Sequence, residues 1–243
     1  MKIAVVGKGG SGKTTTSAII ARVLARGGAT VVALDGDTNP NLGLSLGVGV
    51  DETERLVGMR QALDAEEGEH ASDWDSLLDL FGSDGPDGVR FAVVSQIDNP
   101  DPGCPCCGLS PEQLLGNVDP ADVTVVADLE AGIGTLTRLD EGAVDIVVVV
   151  VEPVPRSMDV GARAAAVAAD KGIGRLVIVA NRVRDGADLD AIKATFAGHE
   201  IVVVPDDDAI VEADRRGVAP LDMAAQAPAV QALSGLAERL VPA

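Results

Sequence analysis

A glycine-rich segment near the N-terminus, GKGGSGKT at positions 7–14, carries residue types that can bind phosphate. It matches the pattern G-x-x-x-x-G-K-[ST] and lies between a predicted strand and a predicted helix, which is the context that this pattern requires. Glycines let the backbone turn tightly enough for its N–H groups and the helix N-terminus to surround phosphate oxygens. We expect Lys13 to reach the β- and γ-phosphates of a nucleotide, Thr14 to ligate Mg²⁺ and Thr15 to bond the α-phosphate. The loop residues of this predicted site are Gly9, Gly10, Ser11 and Gly12.

A second lysine, Lys8, stands where an ordinary phosphate-binding loop needs none. The segment KGGSGKTTT (8–16) resembles the deviant Walker A motif of the MinD/ParA/nitrogenase-iron-protein class of P-loop ATPases. In that class the early lysine contacts the nucleotide of a partner subunit, as an arginine finger does, and places a cation against developing phosphoryl charge. The resemblance therefore implies ATP and ADP as ligands, a homodimer, and catalytic roles for Lys8 and Lys13.

The segment LDGDTNPNL (34–42) follows the second predicted strand and resembles switch I of the same class, commonly D-x-D-P-x-x-N-L. Asp37 matches the aspartate that orients the attacking water, so the resemblance implies that it is catalytic. The proline is displaced, because Thr38 stands where proline is usual and Pro40 comes two positions later. Asp35 is a second candidate for the water or Mg²⁺ role.

The segment VTVVADLEAGIGTL (123–136) resembles Walker B followed by switch II. Asp128 ends an apolar strand, where a carboxylate can hold Mg²⁺ through a water molecule. Gly132 and Gly134 leave the next loop free to move with the γ-phosphate.

Two later segments resemble the part of the class that holds the base. In VIVANRV (177–183), Asn181 matches the residue that recognises the adenine amino group. The segment VVVPDDDAI (202–210) resembles the loop that closes over the base. The resemblance adds four residues to the expected nucleotide site: Asn181, Arg182, Pro205 and Asp206.

All three cysteines of the chain, Cys104, Cys106 and Cys107, lie in the segment DPGCPCCGLS (101–110). In a reducing compartment such a cluster indicates metal binding or redox chemistry rather than a disulfide. A Cys-x-Cys offers two thiolates, too few to close a tetrahedral site within one chain. Two copies across a dimer axis supply four sulfurs, which suit Zn²⁺ in a tetrahedral site and Ni²⁺ in a square-planar one.

The cysteine segment selects a branch of the class. GCPCCGLSPEQLL (103–115), DLEAGI (128–133) and VVEPVPRS (150–157) together resemble the CooC family, ATPases that help insert nickel into carbon monoxide dehydrogenase and related enzymes. The resemblance implies Cys104 and Cys106 as ligands of Ni²⁺ or Zn²⁺, and a carbon monoxide dehydrogenase-like client enzyme. Cys107 departs from the family pattern.

Two alternatives stay open at this point. The first is a MinD/ParA-like ATPase switch that acts on a protein partner without metal, for which Cys104→Ser would leave every activity intact. The second is an electron-transfer ATPase with an iron–sulfur cluster, which predicts a brown anaerobic preparation. Because the switch II stretch 129–144 contains no cysteine, the cluster geometry of the nitrogenase iron protein is not supported.

Short, nearly continuous apolar runs predict the strands that position these residues. Such runs are typical of parallel strands buried on both faces, so we expect an α/β fold with a doubly wound, mostly parallel sheet of seven to eight strands flanked by helices. The predicted strands are 2–7, 29–35, 89–97, 122–130, 145–153, 175–181 and 200–205. The predicted helices are 14–27, 157–171, 186–197 and 227–240. The expected organisation is one domain, 1–243, with a solvated, acidic helical insertion at 51–88 and a cysteine loop at 101–110.

The composition excludes some function classes. With 19 basic and 38 acidic residues the net charge is −19, which disfavours nucleic acid and anionic membranes, so neither is expected as a partner. No apolar run approaches the roughly 18 residues of a membrane span, and the N-terminal apolar run is too short for a signal peptide. We therefore expect a cytoplasmic protein.

Overall fold

The computed structural model describes residues 1–64, 74–94, 111–117 and 123–241. Within these ranges, eight strands form one sheet, in chain order β1 (Lys2–Gly7), β2 (Val31–Gly36), β3 (Gly82–Asp84), β4 (Arg90–Val93), β5 (Thr124–Leu129), β6 (Ile146–Val151), β7 (Arg175–Val183) and β8 (Glu200–Pro205). The spatial order is β3-β4-β2-β5-β1-β6-β7-β8, with every pair parallel except β3–β4. The predicted doubly wound, mostly parallel sheet is confirmed.

Eleven helices are present in the described part of the chain. They are α1 (Lys13–Arg26), α2 (Leu42–Leu46), α3 (Val50–Asp64), α4 (Trp74–Phe81), α5 (Pro111–Asn117), α6 (Gly134–Arg138), α7 (Pro155–Asp170), α8 (Gly186–Thr195), α9 (Asp208–Arg216), α10 (Pro220–Met223) and α11 (Pro228–Leu240). None of these helices is long and apolar enough to cross a membrane.

The helices cover the sheet from both sides, and the alternation of side chains along each strand divides the core in two. In β1, Ile3 and Val5 pack into one core with α1 and α11, whereas Ala4 and Val6 pack into the other with α6 and α7. Because successive side chains of a strand point to opposite faces, a strand covered on both faces must be apolar throughout. This accounts for the continuous apolar runs in the sequence.

The acidic stretch 51–88 is more than a solvated helical insertion. Its described part holds most of α3, all of α4 and β3, which pairs antiparallel with β4 at the sheet edge. Leu56 and Phe81 are buried, so this stretch covers part of the core as well as facing solvent.

Three segments of the predicted site, each at the carboxyl end of a strand, lie next to β1, β2 and β5. β5 lies between β1 and β2, and its register places Asp128 beside Asp35 of β2 and Val5 of β1. In open α/β sheets, ligands bind outside the carboxyl ends of the strands where connections run in opposite directions. The strand order therefore brings the P-loop, the switch I segment and the Walker B segment together.

Candidate nucleotide site

The phosphate-binding loop turns between β1 and α1 and requires glycine. The Ser11 N–H donates to the Lys8 carbonyl oxygen at 3.1 Å, closing the turn, and Gly12 has a φ of 97°. A Cβ on Gly12 would lie 2.3 Å from Nδ2 of Asn181. An L-residue at position 12 would therefore be strained and would displace Asn181.

Lys13 and Asp37 face each other across the site. Lys13 is buried at the start of α1, and its Nζ lies 4.0 Å from Oδ2 of Asp37. The Asn39 N–H donates to Oδ1 of Asp37 at 3.0 Å, which holds this carboxylate within the switch I segment. Both side chains border a cavity of about 520 Å³, whose lining is Gly9, Gly10, Gly12, Lys13, Thr14, Thr15, Asp37, Asn39, Asn41, Ala131, Arg182, Ile210, Val211 and Asp214.

Asp128 accepts hydrogen bonds from two hydroxyl groups of α1. The Thr14 Oγ1 donates at 2.7 Å and the Ser17 Oγ at 3.3 Å. Burial raises the pKa of Asp128 to about 6, even though the hydrogen bond from Thr14 and the charge of Lys13 oppose the rise. The Walker B carboxylate is thus held beside Thr14 in a dry position where a further positive charge would stabilise its ionised form.

Asp35 anchors the switch I segment instead of facing the cavity. It is fully buried, and its carboxylate accepts the N–H of Leu42 at 2.8 Å and the N–H of Asp37 at 3.2 Å. Burial, with a further contribution from the charge of Asp128, raises the pKa of Asp35 well above its ordinary value. The Asp35 carboxylate therefore positions the backbone around Asp37 and does not face the cavity where water or Mg²⁺ would bind.

The end of β7 forms the second half of the cleft. Asn181 donates its Nδ2 to the Ser11 carbonyl oxygen at 2.7 Å, and Arg182, at a left-handed φ of 56°, donates to Oε1 of Glu152 at 2.6 Å. A register shift between β7 and β8 occurs at this point. The groove beside these residues is lined by Gly12, Thr15, Thr16, Asn181, Arg182, Val204, Pro205, Asp206, Asp207, Ile210, Val211, Ala229 and Leu233. It thus adjoins the phosphate cavity through the residues that the two share.

Lys8 is not among the residues that line this cleft. Lys8 donates to the Gly9 carbonyl oxygen at 3.2 Å in an exposed position and is absent from the cavity lining. Cys104 and Cys106 lie outside the described residues. Within the described ranges, no group of three or more His, Cys, Asp or Glu side chains could hold a metal ion.

The sequence interpretation missed two residues that support the cleft through hydrogen bonds to Asp128 and Arg182. Ser17 follows Thr14 by one helical turn, and the i, i+3 spacing places both on one face of α1, so this second hydroxyl could have been inferred. Glu152, the partner of Arg182, directly follows β6 and lies 30 positions earlier in the chain, so the strand order is needed to reveal the pair.

Together the fold and the cleft define a P-loop nucleotide-binding site. A buried lysine at a helix N-terminus supplies charge for phosphates, and the Thr14 hydroxyl beside the Asp128 carboxylate supplies oxygen atoms of the type that Mg²⁺ prefers.

Comparisons with known proteins agree with this class. The family model of the CobQ/CobB/MinD/ParA nucleotide-binding domain matches residues 2–221. Among solved structures, MinD of Pyrococcus horikoshii in complex with Mg-ADP superposes with a TM-score of 0.71, at 18% identity over 98% of this chain and 95% of its own. A ParA family ATPase of Chlorobium tepidum has a TM-score of 0.68, at 20% identity over 99% of this chain and 98% of its own.

The chain belongs to the CobQ/CobB/MinD/ParA family of nucleotide-binding domains and is a P-loop ATPase. The carbon monoxide dehydrogenase accessory protein CooC of Rhodospirillum rubrum is 30% identical over 100% of this chain and 98% of its own length. An ATP-binding protein of Methanocaldococcus jannaschii is 29% identical over 89% of this chain and 90% of its own length.

Proposed function

We propose that this protein is a cytoplasmic maturation ATPase whose whole chain, 1–243, acts as a single domain. It binds Ni²⁺ or Zn²⁺ as cargo through Cys104 and Cys106, shared across a nucleotide-controlled homodimer. It assists metal insertion into a carbon monoxide dehydrogenase-like enzyme. The observation that carries the proposal is the similarity to CooC over the full length of both chains, in a chain that contains a Cys-x-Cys segment.

Nucleotide hydrolysis is assigned to the residues around the cavity. Lys13 contributes charge against the β- and γ-phosphates, and Asp37, 4.0 Å from it, orients the attacking water. Lys8 lies at the exposed edge of the loop, a position that favours a role toward a partner subunit over a role in its own cavity. Its contribution is then a cation delivered in trans.

The described residues fit Mg²⁺. Thr14 offers a hydroxyl oxygen beside Asp128, and Asp128 is a buried carboxylate whose ionised form a divalent cation would stabilise. Mg²⁺ in P-loop sites neutralises charge on the phosphates. Thr14 would be the ligand from the loop, and Asp128 would hold the ion through water.

Adenine recognition is assigned to Asn181. One Nδ2 hydrogen of Asn181 bonds the Ser11 carbonyl, which fixes the orientation of the amide, and its Oδ1 would accept a hydrogen bond from the amino group of adenine. Arg182 lines both the base groove and the phosphate cavity, and Pro205 and Asp206 line the groove. A contact through Oδ1 would favour the amino group of adenine over the oxygen that guanine presents at the corresponding position.

Anaerobic titration with Ni²⁺ and with Zn²⁺, with molecular mass read by light scattering, tests the metal function. Wild type is compared with Cys104→Ser/Cys106→Ser, and Cys107→Ser is the matched control. We expect one metal ion per two chains in wild type and in the control, and no thiol-dependent binding or dimerisation in the double variant.

Metal binding that survives in the double variant would contradict the ligand assignment. No binding in wild type would contradict the maturation role and favour a MinD/ParA-like switch that acts on a protein partner. Visible absorption of an anaerobic preparation, lost in the double variant, would favour the iron–sulfur alternative.

A further inference from the structure

Arg22 of α1 is buried and bonds three other parts of the chain. It is 2% exposed. Its Nη1 donates to the Leu46 carbonyl oxygen at 3.2 Å, at the end of α2. Its Nη1 and Nη2 donate to the two carboxylate oxygens of Asp222 in α10, at 2.7 and 2.6 Å, and its Nε donates to Asp87 at 2.6 Å. One side chain therefore joins α1, α2, α10 and the turn before β4.

Two of these parts continue into opposite sides of the nucleotide cleft. α2 directly follows the switch I segment, whose Asp37 lines the phosphate cavity. α10 is separated from α9 by residues 217–219, and Ile210 of α9 lines both the cavity and the base groove. Arg22 and Asp222 line neither space. They can therefore act on a nucleotide only by positioning the switch I side and the α9 side of the cleft.

α2 and α9 face each other across a small cavity beside the cleft. Its volume is about 50 Å³, and its lining is Thr15, Leu44, Ser45, Ile210, Asp214, Gly217, Val218 and Pro220. Thr15, Ile210 and Asp214 also line the phosphate cavity, so the two spaces adjoin. Because a void forfeits the contacts that packed side chains would make, the link through Arg22 gains importance for the spacing of the two sides.

The link between Arg22 and Asp222 has a fixed geometry. A guanidinium that donates two parallel hydrogen bonds to a carboxylate fixes the orientation of both groups as well as their distance. The end of α2 lies close to this pair, because a Cβ on Gly47, which has a φ of 89°, would lie 3.1 Å from Oδ2 of Asp222. α10 is thus held against the end of α2.

Asp87, the third partner of Arg22, supplies a comparison within the same network. It lies in the short turn Pro86–Gly88 before β4, and it also pairs with Nε of Arg26 at 3.0 Å. Neither the cavity nor the groove is lined by a residue of this turn. Asp87 has a left-handed φ of 61°, a conformation that asparagine tolerates well. Asp87→Asn therefore weakens the network without straining the backbone.

We propose that Arg22 and Asp222 are positioning residues that hold the α9 side of the cleft to the switch I side and thereby limit the rate at which nucleotide leaves. With the link intact, α9 stays over the bound nucleotide. When the link is broken, α9 and α10 can move away from α2, and the cleft opens more often. The inference rests on the proposed function only in placing the nucleotide in the cavity and groove.

Stopped-flow fluorescence on the full-length protein tests the proposal. The probe is N-methylanthraniloyl-ADP with Mg²⁺; its binding rate is measured first, and its release is then followed after addition of excess ADP. Asp222→Asn removes the negative charge and sets an NH₂ group against a guanidinium donor. Arg22→Lys keeps the charge but not the paired hydrogen bonds. Asp87→Asn is the matched control, and the urea unfolding midpoint of each protein is measured alongside.

We expect release of the probe to be about fivefold or more faster in Asp222→Asn and in Arg22→Lys, with binding rate constants within about twofold of wild type. Asp87→Asn should keep both rates within about twofold of wild type although its urea midpoint falls, because its α2–α10 link is intact. The Asp222 side chain is 43% exposed, which favours folding of its variant, and Arg22→Lys provides the same test if Asp222→Asn fails to fold.

Release rates within about twofold of wild type in both Asp222→Asn and Arg22→Lys would overturn the inference. An equal acceleration in Asp87→Asn would also overturn it, because release would then follow the loss of stability and not the link between α2 and α10. These measurements need neither Ni²⁺ nor Zn²⁺, so a failure of those ions to bind wild type would count against the proposed metal function alone.

Discussion

Asp128→Asn is expected to stabilise the nucleotide-free protein while it weakens Mg-nucleotide binding. The asparagine can keep both hydrogen bonds, because the hydroxyls of Thr14 and Ser17 can accept as well as donate. What it removes is the ionisation of a buried carboxyl group. Such a gain in stability with a loss of function is typical of an active-site residue.

The magnitude follows from the pKa of Asp128, which burial raises from 3.8 to about 6. One pKa unit corresponds to about 1.4 kcal/mol, so ionised Asp128 lowers the free energy of unfolding by about 3 kcal/mol at pH 7.5. The folded state binds the Asp128 proton more tightly than the unfolded state does. The stability of wild type relative to the variant is therefore fully retained below pH 3.8 and is lost as the pH rises through about 6. We therefore expect the variant to exceed wild type by about 3 kcal/mol at pH 7.5 and by roughly 1.5 kcal/mol at pH 5.

The assay is urea unfolding followed by circular dichroism in EDTA, without nucleotide, at both pH values. Asp159→Asn, which alters an exposed ion pair, is the control and should change stability by less than about 1 kcal/mol. The reasoning is refuted if Asp128→Asn is no more stable than wild type at pH 7.5. It is also refuted if the gap fails to narrow toward pH 5.

Three further predictions concern the phosphate-binding loop and the ion pairs of Arg22. Gly12→Ala should weaken ADP binding in a fluorescence titration by about tenfold or more, because the new Cβ would meet Nδ2 of Asn181 at 2.3 Å; an unchanged affinity would contradict the packing argument. Lys13→Ala should abolish nucleotide binding. Lys8→Ala should keep ADP affinity within about twofold and lower ATP turnover about 100-fold. If Lys8→Ala weakened ADP binding as much as Lys13→Ala does, a role of Lys8 in trans would be contradicted. Arg22→Met should lower the free energy of urea unfolding by about 3 kcal/mol, since Arg22 is buried and bonds Asp87 and Asp222 at 2.6 Å each. The control is Arg163→Met, which removes an exposed arginine paired with Asp159. If Arg22→Met lowered the free energy of unfolding no more than Arg163→Met does, the Arg22 ion pairs would contribute little to stability.

Much of the fold could be predicted from local sequence patterns. Parallel strands covered on both faces must be apolar, so β1, β5 and β6 are visible as apolar runs. The phosphate-binding loop is equally visible, because its glycines, lysine and threonine have a fixed spacing between a strand and a helix. Asp128 was identifiable as the polar residue near the end of such a strand.

Other features depend on contacts between distant parts of the chain. β3 has the sequence GSD, which has low strand propensity, and it exists because β4 offers an edge to pair with. The spacing of the two aspartates in switch I does not tell which one faces the cavity, and the structure assigns burial to Asp35. The pairs Glu112–Arg138 and Glu152–Arg182 join residues 26 and 30 positions apart, so no local pattern could reveal them.

The central claim is that the nucleotide state controls metal binding by the thiols. The most direct measurement is the dissociation constant of Ni²⁺ under anaerobic conditions, with the protein saturated by Mg-ADP or by a non-hydrolysable Mg-ATP analogue. We predict that the two constants differ by about fivefold or more and that Cys104→Ser/Cys106→Ser binds Ni²⁺ in neither state. Equal Ni²⁺ affinities in the two nucleotide states would contradict the account.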